Sequence, residues 1–326
     1  MSTTALLRAP MLPLARQVRA YFAPVARATE TPTIFDPAIN IAFDLDAPPA
    51  PWVDAGWVEN FVRTPGTKVQ QLRSGTSAAV SGQFRSQLDA RVEFDFQQWG
   101  KLQMAIAGGA EHMNVLAEAS GAQPQPIGGQ ALAAVVLQPG STATQLQLAA
   151  ADLANFSVGD MVAVDIDYQQ QTGYVGSGLA AAYVTNPTEI GTDPNYIRRL
   201  TFNVGRVAAI SASSLTLAQP LLGGVPPVGA AIQKLVAFVD REGGSFFQEW
   251  SALFVIPDEG GGRVCFYYPR VQACAPAQEK PVVVADTLKG YGLHAALLAI
   301  PVTDAEDGQT IVCYRSYMPT SAAALY

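Results

Sequence analysis

The stretch from Val92 to Gly109 constrains the fold more than any other part of this sequence, because its hydrophobic period changes once along its length. Apolar residues first alternate with acidic ones, which is typical of a strand with one buried face. They then recur at helical spacing, and two glycines end the run. The two sets are Val92, Phe94 and Phe96 against Glu93 and Asp95, followed by Trp99, Leu102 and Ile106. The stretch predicts a strand leading into a short helix, in a chain that is otherwise patterned for strands.

Composition favours a folded protein that associates with itself. The chain has 326 residues, of which 49% are hydrophobic, enough for sizeable cores, but only 14% are charged. A surface with so little charge is typical of permanent interfaces, so we expect extensive self-association rather than a bland monomer. The formal net charge of −7 argues against a protein that grips nucleic acid by its phosphates.

The sequence contains no apolar run long enough to predict a transmembrane helix. The first 28 residues are rich in Arg and Ala like a weak targeting peptide, but Pro10, Pro13 and Arg16 interrupt their apolar stretches. We interpret them as an arm. Three cysteines without C-x-x-C spacing predict core thiols rather than a disulfide framework: Cys265, Cys274 and Cys313.

Turn and strand signals divide the chain into four parts. Residues 1–50 are punctuated by prolines, which predicts an extended N-terminal arm without a long helix or central strand. Residues 51–130 predict the first half of a β-sandwich or barrel together with the helix, and residues 239–326 its second half. Between them, the Gly-separated short strands of residues 131–238 predict an inserted small β-barrel with a long Tyr-rich loop. The predicted fold class is therefore mainly β.

The arm carries aromatic and basic side chains that predict docking. An extended segment with regular aromatics and no core of its own is expected to lie on another surface, most economically that of a neighbouring subunit. Two alternatives stay open, namely that the arm wraps its own domain or that its end is a solvated, frayed terminus.

Residue patterns for catalysis or metal binding are weak. His112 and His294 lie far apart in sequence, and each is expected to be structural. The alternating carboxylates Asp160, Asp165 and Asp167 suggest a Ca²⁺ site less well than a solvated strand face. Glu93 and Asp95 share one strand face, but a glycosidase pair needs a defined separation across a cleft. We predict no catalytic residue, no metal and no cofactor.

Several segments, taken in order, resemble the tail tube proteins of tailed bacteriophages and prophages. The resemblance covers roughly residues 20–130 and 236–326. It is carried by the proline-rich arm and by these segments: Gly56–Phe61, the Ser74-Gly75 hairpin, Val92–Phe96, Trp99–Gln103, Asn114–Leu116 and Asp240–Phe254. The insertion at 131–235 departs from the minimal family pattern.

The resemblance implies a non-enzymatic structural virion protein that forms hexameric rings stacked into a tube through which DNA passes. Its implied partners are copies of itself, the tape measure, terminator and baseplate or tip proteins, and possibly a sheath. The implied location is the virion tail, assembled in the host bacterial cytoplasm. Glu93 and Asp95 would make the lumen acidic, so that DNA phosphates are repelled from its wall. The residues assigned to inter-subunit contacts and ring stacking are Arg16, Arg19, Tyr21, Phe22, Arg27, Ile34, Phe35, Thr64, Pro65, Gly66 and Lys68.

Two other classes of function stay open. The inserted domain with its Tyr-rich loop is compatible with a β-rich surface protein that binds carbohydrate. A hydrolase that uses carboxylates is the third interpretation, but it needs a convergent polar cluster, which the sequence does not predict.

Overall fold

The computed structural model describes residues 17–25, 29–40, 43–75, 78–109, 111–119, 131–166, 195–241, 248–257, 262–274, 278–285 and 288–318. These residues form nineteen strands and three helices. The mainly β prediction is therefore confirmed. The strands are β1 Val18–Pro24, β2 Val53–Pro65, β3 Lys68–Ser74, β4 Ala79–Gln87, β5 Ala90–Phe96, β6 Glu111–Leu116, β7 Val135–Val136, β8 Gln145–Gln147, β9 Met161–Asp165, β10 Val204–Ile210, β11 Ser214–Leu217, β12 Ala231–Arg241, β13 Glu249–Pro257, β14 Arg263–Ala273, β15 Gln278–Ala285, β16 Leu288–Ala299, β17 Val302–Thr303, β18 Thr310–Ile311 and β19 Tyr314–Met318. The helices are α1 Lys101–Gly108, α2 Ala150–Leu153 and α3 Tyr196–Leu200.

Six antiparallel strands close into a barrel. Their order is β16-β5-β2-β1-β13-β14, and β14 pairs again with β16, where Val271 faces Ala299. β15 and β19 extend the sheet from β16 and β14. Closure leaves no unpaired edge within the ring of six. Of the two forms that the sequence predicted, a β-sandwich or a barrel, these strands form the closed barrel.

The barrel interior is a packed aromatic core. Phe22, Phe94 and Phe254 meet there, with ring centroids 5.3 to 6.5 Å apart. Along β5 the predicted alternation holds, since Val92, Phe94 and Phe96 are buried while the acidic residues between them are half-buried on the outer face. The barrel of a single chain therefore encloses side chains rather than a channel.

Helix α1 follows β5 as the sequence predicts and covers part of the core. Leu102 and Ile106 are buried in the barrel cluster. Trp99, which was predicted to share their apolar face, lies before the first helical residue and is half exposed. The helix ends at Gly109 with φ of 59°, and a Cβ atom built there would lie 2.7 Å from the Cβ of Ala273. Glycine therefore satisfies both the left-handed cap and the close approach to β14.

A second sheet has the order β6-β12-β9-β10-β11-β8, with β7 also pairing with β12. Its own core includes Leu146, Val162, Leu215 and Ile232. β6 lies in the range predicted for the first half of the sandwich, yet it pairs with β12. Among the described strands the pairing path does not return to its start, so the closure expected of a small barrel is not observed there.

A buried polar junction joins this second sheet to the barrel. The ammonium of Lys101 donates to the side-chain oxygen of Asn114 and the backbone oxygen of Thr201, each at 2.7 Å, and lies 4.7 Å from the centre of the Phe202 ring. Burial holds the pKa of Lys101 well below its ordinary value. Phe202 itself packs into the barrel cluster, so the two units share one continuous interior at this point.

Candidate assembly surfaces

The β3–β4 hairpin is the most exposed regular structure in the described chain. All but one of the residues in its two strands are exposed, and β3 and β4 form a two-stranded sheet of their own. The hairpin carries Lys68, Arg73 and Arg85 and has no acidic residue between positions 68 and 87. An isolated two-stranded hairpin is marginally stable in water, so a further surface against it would stabilise it.

Apolar side chains stand on both faces of this hairpin. The strand register places Leu72 opposite Gly82 and Gln70 opposite Phe84, so Leu72 and Phe84 are diagonal neighbours on one face. Val69 and Val80 lie on the other face. All four are exposed. The range predicted for ring stacking, residues 64–77, includes Leu72 but ends before Phe84, and neither residue was named as a contact. The apolar positions along the two strands were a usable signal for both.

The predicted contact residues at the base of the hairpin have different environments. Thr64, Pro65 and Lys68 are exposed. Gly66 is half-buried, and its N–H donates to the backbone oxygen of Asp89 at 3.0 Å. A Cβ atom at Gly66 would lie 1.5 Å from the Oδ1 atom of Asp89. Gly66 thus holds the hairpin base closed rather than offering a contact surface.

The outer face of β2, β5 and β16 carries acidic side chains that are partly or fully exposed. Glu59, Asp95 and His294 form one row across the three strands. The Nδ1 atom of His294 lies 2.8 Å from the Oδ1 atom of Asp95. A bulge in β2 places Asn60 at φ of 52°, from where its side-chain amide donates to the Oδ2 atom of Asp95 at 2.7 Å. We call this surface, with Glu93 in the next row and the exposed Arg91 in the row after it, the acidic face because carboxylates outnumber the arginine.

The opposite outer face of the barrel is covered by the chain itself, at residues 29–40 and 43–52, which we call the covering segment. Phe35, Phe43 and Trp52 from this segment pack on Tyr21 of β1 and Tyr267 of β14 in one buried cluster. Neighbouring rings in the cluster lie 5.0 to 6.3 Å apart, mostly edge to face. Proline-rich sequence therefore covers one side of this chain's own barrel.

This finding corrects the expectation of an N-terminal arm without a core of its own. Tyr21 and Phe22 are fully buried in a central strand, and Phe35 is 4% exposed, so their side chains are not available to another subunit. β1 can lie inside the sheet because it precedes most of the prolines of the arm. Pro24 is its last residue and lies opposite Trp250. Ile34 is 64% exposed and remains a candidate contact.

The basic residues assigned to the arm also differ from the expectation. Arg19 donates to both carboxylate oxygens of Asp54, at 2.6 and 3.2 Å, and to Asp46 at 2.5 Å. Burial acts to lower the pKa of Arg19, but these carboxylates outweigh it and hold the pKa above its ordinary value. Its charge is therefore neutralised within the chain. Arg16 and Arg27 lie outside the described residues.

The groups that the sequence raised for chemistry are engaged in structural contacts. His112 is buried, with its Nε2 atom 2.9 Å from the backbone oxygen of Leu200, and burial together with the nearby Lys101 charge holds its pKa well below the ordinary value. Asp160 pairs with Lys234 at 2.9 Å. Asp165 accepts a hydrogen bond from the Thr201 hydroxyl at 2.7 Å.

The last aspartate of the alternating set and the three cysteines complete the residues considered for chemistry. Asp167 lies outside the described residues. Cys265, Cys274 and Cys313 are free thiols; Cys265 is buried, as predicted for a core thiol, whereas Cys274 and Cys313 are only partly buried. Within the described ranges, no three His, Cys, Asp or Glu side chains are arranged to hold a metal ion. The helices in that part of the chain are too short and too polar for any of them to cross a bilayer.

Comparison with known proteins adds no identity to this geometry. No family model matches the chain. No curated protein is significantly similar to it in sequence.

Proposed function

We propose that this chain is a structural subunit that polymerises through its barrel into a tube, as the tail tube proteins of tailed phages do. The observation that carries the proposal is the β3–β4 hairpin, which projects from a closed barrel, is basic, and exposes apolar side chains on both faces. Such a hairpin gains stability from a second surface. Assembly into hexameric rings, and the tail partners and virion location that go with it, belong to the same proposal.

The charge of the acidic face is a second observation that supports the proposal. It combines Glu59, Glu93 and Asp95 on the side of the barrel that the covering segment does not contact. If this side lines the tube, DNA phosphates meet like charge along the wall and pass without binding. A lumen built this way lies between subunits, since the interior of each barrel is filled by its own side chains.

The carbohydrate-binding alternative depends on the Tyr-rich loop. Three tyrosines of that loop motivated it. Tyr174 and Tyr183 lie outside the described residues, and Tyr196 is the first residue of α3 rather than part of a loop. No contact among the described residues favours glycan binding over assembly.

Negative-stain electron microscopy of the purified chain across a concentration series tests the proposal. We expect rings or hollow tubes of uniform diameter from the natural sequence. The variant Phe84→Ser is expected to form fewer or shorter tubes, because it removes the largest exposed apolar group of the hairpin. Val158→Ser, which changes an exposed apolar side chain in the turn before β9, serves as the matched control. Monomers at every concentration of the natural chain would reject the proposal.

A further inference from the structure

A groove of about 870 Å³ lies between the start of the covering segment, at residues 30–37, and the β17–β18 turn, at residues 301–306. The rings of Tyr267 and Tyr314 stack beneath it, with centroids 5.8 Å apart and planes 12° from parallel. Tyr314 and Ile34 are both exposed along the groove. The groove therefore offers apolar and aromatic surface in a concave setting, which is the usual form of a docking site.

The charge of this groove is negative. Its acidic residues are Glu30, Asp36, Asp304 and Glu306, and its basic residues are Arg270 and Arg315. Arg270 is already neutralised, because it donates twice to Glu249 at 2.9 Å and once to Glu30 at 2.7 Å. With Glu30 paired to Arg270, the carboxylates of Asp36, Asp304 and Glu306 remain, and Arg315 is the single unpaired cation among the groove residues named above.

One of those carboxylates is held in its charged form. The hydroxyl of Tyr314 donates to Asp304, and the backbone N–H of Glu306 donates to the same side chain at 2.9 Å. These hydrogen bonds lower the pKa of Asp304. Asp304 therefore keeps its negative charge to a lower pH than a free aspartate side chain does.

We propose that this acidic groove receives the β3–β4 hairpin of a second copy of the chain. The inference rests on the proposed function and adds the receiving surface to it. The hairpin contributes three cations and no carboxylate. Arg73 and Arg85 share one face with Val69 and Val80, whereas Leu72 and Phe84 lie on the other, so the groove would contact both faces of the hairpin. The groove contributes the opposite charge and exposed apolar groups at Ile34 and Tyr314. Charge of opposite sign steers the two surfaces together, and the apolar groups lose contact with water when they meet.

The acidic face fits the hairpin less well, although its charge has the same sign. Asp95 is bound by His294 and Asn60, and the side-chain amide of Gln97 donates to Glu59 at 2.8 Å. That face is also the outer side of a regular sheet, without the concavity of the groove. A hairpin laid on it would displace these hydrogen bonds.

Charge reversal on each side provides the test. Arg85→Glu changes the hairpin and Glu306→Lys changes the groove, and no hydrogen bond is formed by either side chain among the described contacts. Each single variant is expected to raise the concentration needed for assembly at least about tenfold, measured by sedimentation velocity at low salt. The double variant in one chain pairs reversed hairpins with reversed grooves, so it is expected to recover most of that loss. Arg206→Glu and Glu118→Lys, two reversals of exposed residues on and beside the second sheet, are the matched controls.

Near-ultraviolet circular dichroism is expected to match the natural chain for every variant, which separates docking from folding. If Arg85→Glu impairs assembly while Glu306→Lys does not, or if the double variant shows no recovery, the hairpin docks elsewhere. The groove assignment is then overturned while the assembly proposal stands. If the natural chain stays monomeric at all concentrations, both are overturned.

Discussion

The two outer faces of the barrel differ although they belong to one continuous sheet. On the covered face, β13 is buried from Trp250 to Ile256 without interruption. On the acidic face, β5 alternates between buried and partly exposed residues along its whole length. A strand covered on both sides needs apolar residues at every position, whereas a strand covered on one side needs them only at every second position. The hydrophobic period of each barrel strand thus shows which side of the barrel has a cover.

The largest effect is expected from removing an anchor of the cover. Phe35→Ala should lower the free energy of unfolding by about 3 to 5 kcal/mol, because it deletes a buried aromatic ring between Phe43, Trp52 and Tyr267. Urea denaturation followed by tryptophan fluorescence measures the change.

The adjacent residue supplies the control for this substitution. Ile34→Ala removes an exposed side chain and is expected to change the free energy of unfolding by less than about 0.5 kcal/mol. Similar losses for the two variants would mean that the covering segment is not packed on the barrel in solution.

Comparing the covering segment with the stretch from Val92 to Gly109 shows how much of the fold could be predicted from the sequence. The strand and helix around Val92 to Gly109 were predictable because their pattern is local. The covering segment was not, since its contacts join residues more than two hundred positions apart: the backbone N–H of Thr33 donates to the Ser251 hydroxyl at 2.9 Å. Prolines correctly excluded a helix there, but they could not show which surface the aromatics would meet.

The candidate surfaces divide in the same way. The acidic side of β5 was predictable from its period, and the structure places Glu93 and Asp95 on one outer face. The groove was not predictable, because its two walls come from residues 30–37 and 301–306, at opposite ends of the chain. Only the fold brings those walls together.

A second prediction concerns alkaline pH and the covered face. Burial raises the pKa of Tyr267 above its ordinary value of 10.0. The unfolded chain loses this phenolic proton above about pH 10, while the folded chain keeps it, so the free energy of unfolding should fall as pH rises beyond that point. Tyr267→Phe removes this proton and should flatten the decline, measured as unfolding free energy against pH from neutral to alkaline. An unchanged slope would indicate that solvent reaches the Tyr267 hydroxyl.

The same substitution has a smaller effect at neutral pH. The Tyr267 hydroxyl donates to the backbone oxygen of Thr33 at 2.7 Å, which ties the covering segment to β14. Tyr267→Phe keeps the ring but loses this bond, and we expect a loss of about 0.5 to 1.5 kcal/mol in the free energy of unfolding. Tyr291→Phe, at an exposed tyrosine on β16, is the control and should be close to neutral. A loss as large as that from Phe35→Ala would contradict the view that ring packing, more than this bond, holds the cover.

The smallest effect is expected on the acidic face. Asp95→Asn removes the charge facing His294 but keeps the shape of the side chain, and both side chains are partly exposed, at 30% and 23%. Solvent screens such pairs, so the free energy of unfolding should change by about 1 kcal/mol or less, and by still less at high ionic strength. Chemical denaturation at low and high ionic strength measures both quantities. If the proposed lumen is correct, this carboxylate serves the passage of DNA more than it serves folding, and its loss should leave the barrel stable while making the face less repellent to phosphate. A destabilisation as large as that of Phe35→Ala would instead show that the acidic face is structural, and the contrast between the two sides of the barrel would disappear.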